Sequence, residues 1–256
     1  MKRALARAAS RRPAAGLSVL IYHRVGGGTP DEMDVPVMQF RRHLEVLRRH
    51  RPVSLDAALD ELEAGDNSPK AVLTFDDGFA DVHDTVLPLL VEFGMPFTLY
   101  LATGYVGGVM RWPGPAATPG PGLRWEQLEA LLASGLCTFA NHTHTHPLPA
   151  RLTVDDVDRC TDAIRARLGV VPRHFAYPFG VPVPALDADL RTRFRSAATG
   201  LPGRGRPGGD LLRLPRIPVR QTDPIGFFAA KLTGRLLPER LYGGAVSVAK
   251  RAGVRA

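Results

Sequence analysis

The sequence predicts an α/β fold whose parallel sheet is closed, or nearly closed, into a barrel. The first observation is alternation: apolar runs of strand length are followed by segments of helical period six or seven times along the chain, the signature of repeated β-α units. The second is composition. The 256 residues are 45% hydrophobic and 23% charged, enough to bury a core unaided and close to the soluble globular average. The third is the lack of a glycine fingerprint after the first apolar run, which argues against a dinucleotide site; an open doubly wound sheet stays as the alternative architecture.

Each element has a local reason. Leu17–Tyr22 is a continuous apolar run and the first strand. Phe40, Leu44 and Leu47 repeat at helical spacing, and His43 and His50, set among arginines, read as a solvated face of that helix. Ser54 is an N-cap for a helix over 55–64, which Gly65 ends. Strands follow at 71–75 and Phe97–Leu101, with a helix over 79–93 that Pro88 bends and in which His83 reads as structural. Further helices are expected over 125–134, 153–168 (capped by Thr153) and 186–194. Further strands are expected over 137–140, 174–177, 196–199 and 214–219. The Gly- and Pro-dense stretch 104–122 is too long for an ordinary connection and reads as a substrate-side loop.

Charge divides the chain. The net charge is +8, of which residues 1–30 supply +6 and residues 231–256 supply +5, so the body between is −3. A basic groove on the body is therefore missing, and no nucleic-acid partner is expected. The basic ends read as solvated tails or as peripheral contact with an anionic membrane. Three segments are expected: a basic tail at 1–16, a domain at 17–220 and a basic amphipathic segment at 221–256, for which packing on the barrel is favoured over lying on lipid. The two cysteines, Cys137 and Cys160, cannot build a disulfide framework or a four-cysteine metal site. The basic start runs into an apolar stretch with no small-residue cleavage site after it, so a cytoplasmic location is expected.

In a parallel barrel the reacting groups gather at the carboxyl ends of the strands. There the chain places His23, then Asp76-Asp77-Gly78, then the run Asn141 to Pro147 with His142, His144 and His146, then Tyr177-Pro178-Phe179-Gly180. Two histidine pairings are open. His142 and His144 share a face if the segment is extended; His142 and His146 reach one ion only on a turn, which Pro147 and the threonines permit. With Asp76 or Asp77 either pair makes a two-histidine, one-carboxylate set, suited to catalytic zinc or another divalent first-row metal.

The combination of Thr74-Phe75-Asp76-Asp77-Gly78, His142-Thr143-x-x-His146-Pro147 and Phe175-Ala176-Tyr177-Pro178-Phe179-Gly180 resembles the polysaccharide deacetylases, carbohydrate esterase family four. The resemblance implies a distorted (β/α) barrel of about seven parallel strands and metal-dependent removal of acetyl groups from N-acetylated sugars, with one divalent ion, zinc foremost, and an acetylated glycan as partner. It implies Asp76 as catalytic base and Asp77, His142 and His146 as metal ligands. Tyr177, Pro178, Phe179 and Gly180 would line the groove, with the Phe179 N–H binding the oxyanion.

Two departures stand out. Ala176 occupies a place where the family often carries an Arg that holds the base, and no histidine follows His174 to serve as the acid. Both fit a branch resembling the exopolysaccharide (poly-N-acetylglucosamine) deacetylases, in which strand order is permuted and the acid lies near the amino terminus. That assigns the acid to His23 and makes Arg216 the stand-in for the missing Arg. The rivals are an amide hydrolase acting on a small non-sugar substrate and a catalytically impaired glycan-binding barrel.

Overall fold

The computed structural model describes residues 14–111 and 118–234. Among these, seven strands form one parallel sheet: β1 (Leu17–Tyr22), β2 (Lys70–Asp77), β3 (Phe97–Leu101), β4 (Cys137–Asn141), β5 (His174–Ala176), β6 (Ser196–Ala198) and β7 (Ile217–Pro218). Their spatial order is β6-β5-β4-β3-β2-β1-β7, so consecutive strands are neighbours and the last one docks beside the first. The register between β1 and β2 runs from Leu17 opposite Lys70 to Tyr22 opposite Phe75. Both strands are buried along their whole length, as strands covered on both faces must be.

One segment draws the sheet's two edges together. Leu214 donates to Ala197 O of β6 at 3.0 Å and accepts from the N–H of Thr199, the residue after β6, at 2.9 Å. Three residues later Ile217 pairs with Leu20 of β1. The expected strand over 214–219 is only two residues long because Pro215 and Pro218 have no N–H to give to a ladder. The sheet is thus a distorted (β/α) barrel rather than the open doubly wound alternative.

The helices are α1 (Val37–Leu47), α2 (Leu55–Glu63), α3 (Leu87–Phe93), α4 (Trp125–Ala133), α5 (Val154–Leu168), α6 (Asp187–Arg193) and α7 (Ile225–Leu232). The main core lies between sheet and helices. Tyr22, Phe40, Phe75 and Phe97 are buried there, with the Tyr22 ring 5.3 Å from both Phe40 and Phe75; burial of each such side chain contributes ~1.5–3 kcal/mol. The barrel interior is a second cluster of Val19, Val72, Tyr100, Ala140, Ala176 and Ala198, with Leu55, Ala58, Leu59 and Leu62 of α2 packed into it. The three alanines leave room for the Tyr100 ring.

Three expectations change. The helix over 79–93 is a π-helical turn, Val82–Val86, that runs on into α3; Pro88, which has no N–H to give to the helical ladder, stands just where the π-helical spacing changes to α-helical. His43 is fully buried, not solvated: its ring stacks on Phe228 at 3.9 Å and its Nδ1 shares a 3.2 Å hydrogen bond with the Tyr22 hydroxyl. It belongs to the same helical stripe as Phe40, Leu44 and Leu47. The strand after residue 69 runs two residues further than expected, through Asp76 to Asp77.

In the carboxyl-terminal segment, Phe227, Phe228 and Leu232 are buried and Lys231 donates to Asp223 Oδ2 and Pro218 O, so α7 packs on the barrel. Residues 1–13 and 235–256, which carry most of the basic charge behind the membrane-contact expectation, lie outside the described residues, as does 112–117 of the long loop. Among the described residues no helix is long and apolar enough to cross a membrane.

Candidate metal centre and active site

β2 delivers two adjacent carboxylates to one place by breaking at its end. Successive strand residues point to opposite faces, but Asp77 has φ of 73° and Gly78 of 104°. The left-handed turn begins at an aspartate, a residue type that tolerates it, and runs on through Gly78. A Cβ on Gly78 would stand 2.5 Å from Leu101 Cδ1.

The histidines come from the loop after β4, which is neither helical nor extended. Thr143 (φ 69°) and His146 (φ 48°) are left-handed, and the Thr143 hydroxyl accepts from the His146 N–H at 3.0 Å. The turn brings the His142 and His146 rings to 5.0 Å. His142 Nδ1 donates to Ala176 O at 2.8 Å, which aims Nε2 at Asp77. The Nε2 atoms of His142 and His146 lie 3.4 and 3.5 Å from Asp77 Oδ1. All three residues are buried, with one ligand atom of each within 4.8 Å of the others. His144 turns away and shares a 2.9 Å hydrogen bond with Thr103 Oγ1. Of the two pairings left open by the sequence, the structure thus groups His142 with His146.

The donor set fits a divalent ion. Tetrahedral zinc with bonds of ~2.0–2.2 Å separates neighbouring donors by ~3.4 Å, which is the spacing found. Neither buried oxygen of Asp77 has a hydrogen-bond partner, an arrangement that costs free energy without a counter-charge. Burial works to raise the Asp77 carboxyl, yet the facing His142, first among the groups that lower it, helps to hold it at about 2. Burial pushes His146 down to about 4, toward the neutral imidazole that ligation requires.

Asp76 has a different partner. Arg216 Nη1 and Nη2 donate to its Oδ1 and Oδ2 at 2.7 and 2.8 Å. The guanidinium is buried, 5.2 Å from the Tyr100 ring centroid, with Nε donating to Thr199 O. Burial alone would raise the Asp76 carboxyl; Arg216, with His142 behind it, lowers it, so it is ionised. Ala176 packs beside Tyr100 in the same interior cluster, so Arg216 reaches Asp76 from β7's approach and not from β5.

His23 directly follows β1 and is half-buried, with Nδ1 enclosed and without a partner. It is close enough that a positive charge on its ring would lower Asp76, Asp77 and His146 alike, so it borders the same cleft. Of the third motif, Phe179 is left-handed (φ 58°) and its ring lies 4.8 Å from that of His146. Gly180 packs so tightly on Gly200 that a Cβ would meet its backbone at 2.5 Å. Pro178 is buried. The expectation that Tyr177 lines the groove is corrected: it alternates outward from Ala176 and packs with Phe175, Leu190 and Phe194, while its hydroxyl accepts from Arg213 at 2.9 Å.

Several neighbours of the site carry no signal in the sequence. Arg24 is buried, 4.7 Å above the Phe79 ring, and donates to Asp81 at 3.1 Å. Phe79 and Met110 are buried together with Tyr105 and Phe179 against them, an apolar wall beside the histidines. Nothing in the periodicity singles these out, because their partners lie in distant loops.

Both the sequence and the fold have known relatives. The model of the family described as "Polysaccharide deacetylase" matches residues 64–198. The structure of IcaB from Ammonifex degensii is 30% identical, covering 87% of this chain and 99% of that one with a TM-score of 0.73. The BpsB deacetylase domain from Bordetella bronchiseptica shares the fold at 23% identity, over 81% of this chain and 98% of that one, TM-score 0.65. YxkH of Bacillus subtilis is 31% identical over 97 residues, 36% of this chain and 34% of its own length, so the match spans about a third of that relative. With the family model matching more than half of the chain and a relative of 30% identity covered almost entirely, the chain belongs to the polysaccharide deacetylase family.

Proposed function

We propose that this chain is a metal-dependent hydrolase that removes N-acetyl groups from an acetylated sugar or polysaccharide. The single observation behind this is the pairing of two carboxylates with two different tasks: Asp77 faces two histidine nitrogens at metal-shell spacing, while its neighbour Asp76 is kept ionised by Arg216.

Asp77, His142 and His146 would hold the ion, zinc by the chemistry of the donors. When bound, it supplies Lewis acidity for the amide carbonyl and for water. Asp76, ionised in the structure, accepts the proton of the attacking water. Arg216 fixes the carboxylate plane and takes the place of the Arg that Ala176 lacks. The Phe179 N–H, offered by a left-handed residue, donates to the oxygen that gains charge. His23, entering from β1, gives its proton to the leaving amine, which departs poorly as an anion. The apolar wall of Phe79, Met110 and Phe179 excludes water beside the reacting carbonyl.

Acetate release from N-acetylated chitooligosaccharides, compared between zinc-loaded and chelator-treated protein, tests the reading. Release that needs the metal supports it. Metal binding without release from any acetylated glycan, together with turnover of small amides, would move the chain to the non-sugar amide hydrolases.

A further inference from the structure

The turn carrying the metal-site histidines holds two left-handed residues that are not glycine, Thr143 and His146. Such backbone costs ~1–3 kcal/mol at each residue and persists only where its surroundings over-determine it. The surroundings here are the first turns of α5. Asp156 Oδ2 accepts from the backbone N–H groups of both His144 and Thr145 at 3.1 Å, and its Oδ1 accepts from the Thr145 hydroxyl at 2.9 Å; the His144 N–H is shared with the main-chain carbonyl of Asp156 at 3.0 Å, so the two Thr145 bonds are the ones that the side chain alone supplies. Asn141, at the other foot of the turn, donates to Val157 O and Thr161 Oγ1 and accepts from the Thr143 N–H.

The position of Asp156 makes this unusual. Thr153 caps α5 by accepting from the Asp156 N–H at 3.3 Å. An acid three residues after such a cap ordinarily reaches back to the cap's own N–H. Here the carboxylate turns to the loop after β4 instead. It is buried, so its acceptor capacity must be met by the protein, and three donors of the turn meet it.

We propose that Asp156 is a positioning residue for the metal-binding turn: by holding the His144 and Thr145 N–H groups and the Thr145 hydroxyl it sets His146 against His142 and Asp77. The inference rests on the metal-site reading above. It assigns Asp156 no contact with metal or substrate. Its action is geometric, so an amide with the same shape suffices: in Asp156→Asn one oxygen still accepts from the two N–H groups, and the NH₂ donates to the Thr145 hydroxyl.

Zinc affinity of the purified full chain, measured by competition with a chromophoric chelator, tests this alongside thermal melting of the metal-free protein. Asp156→Ala should weaken zinc binding ~10–100-fold, the span seen when partners that orient ligands are removed. Asp156→Asn should restore affinity to within ~3-fold of the parent, since the turn's hydrogen bonds survive. Thr145→Val, which removes one bond and leaves the carboxylate, should fall between Ala and the parent; with Asn it carries the test where Asp156→Ala does not fold. Parental affinity in a folded Asp156→Ala variant, with only a lowered melting temperature, would make Asp156 an ordinary helix residue and overturn the inference alone. Equal loss in Asn and Ala would overturn it by pointing to charge. A parent chain that binds no zinc would overturn the metal-site reading itself and this inference with it.

Discussion

Arg216 holds both oxygens of Asp76 in a fork, at 2.7 and 2.8 Å, across 140 residues of chain. The pair is buried on both sides, so each partner is the other's compensation for lost hydration. Lysine can supply the charge but not the fork. Arg216→Lys should therefore keep one bound zinc and lower kcat for acetate release ~10–100-fold, because Asp76 loses its fixed plane. Arg216→Ala leaves a buried carboxylate unpaired and should cost ~3–5 kcal/mol of stability. Wild-type kcat in Arg216→Lys would show that the fork is structural only.

His23 is assigned the proton donated to the amine. His23→Gln keeps size and polarity but cannot deliver a proton. The rate should fall ~10²–10⁴-fold, with zinc content and melting temperature unchanged. An unaltered rate would pass the role to another group or to water.

The Phe179 N–H, the proposed oxyanion donor, sits in a turn that depends on close glycine contact. Gly180 has φ of 68°, and a Cβ there would meet the backbone of Gly200 at 2.5 Å. Gly180→Ala should destabilise the fold by ~1–3 kcal/mol and, in the folded fraction, depress kcat more than it raises KM. A melting temperature equal to the parent's would contradict the packing argument.

Stability should depend on pH through His43. Burial between Tyr22 and Phe228 lowers it to about 3, against 6.5 unfolded. Between those values the unfolded chain binds the proton and the folded one does not, so stability is full above 6.5 and lost as pH falls toward 3. The slope is at most ~1.4 kcal/mol per pH unit. His174, also lowered by burial, acts in the same direction. Asp81 opposes them: burial raises it to about 6, so its protonation favours the folded chain as pH falls from 6. Urea unfolding at a series of pH values should show a shallower acid loss in His43→Phe and a steeper one in Asp81→Asn.

The strands were legible because each is a buried apolar run: Leu17–Tyr22 and Phe97–Leu101 have the expected bounds. The edges were less so, since Pro215 and Pro218 shorten β7 in a way apolar content does not reveal. His43 looks solvated in sequence because arginines flank it, although its spacing from Phe40, Leu44 and Leu47 puts it on the inner stripe. Motif spacing gave the histidine and aspartate positions but not their geometry: the two left-handed residues of the turn at 143–146 obey no period. Tyr177 misled because strand alternation sends it outward one residue after Ala176. Asp156 carried a legible signal, the Thr153-x-x-Asp156 cap pattern, whose local meaning hid its long-range bonds.

The division of labour between Asp76 and Asp77 is the central claim, and zinc stoichiometry measured beside acetate release tests it most directly. Asp77→Ala should lose both zinc and turnover. Asp76→Asn should retain one zinc per chain and lose turnover ~10²–10⁴-fold, since only the base is removed. Equal loss of zinc in the two variants, or wild-type turnover in Asp76→Asn, would contradict the account.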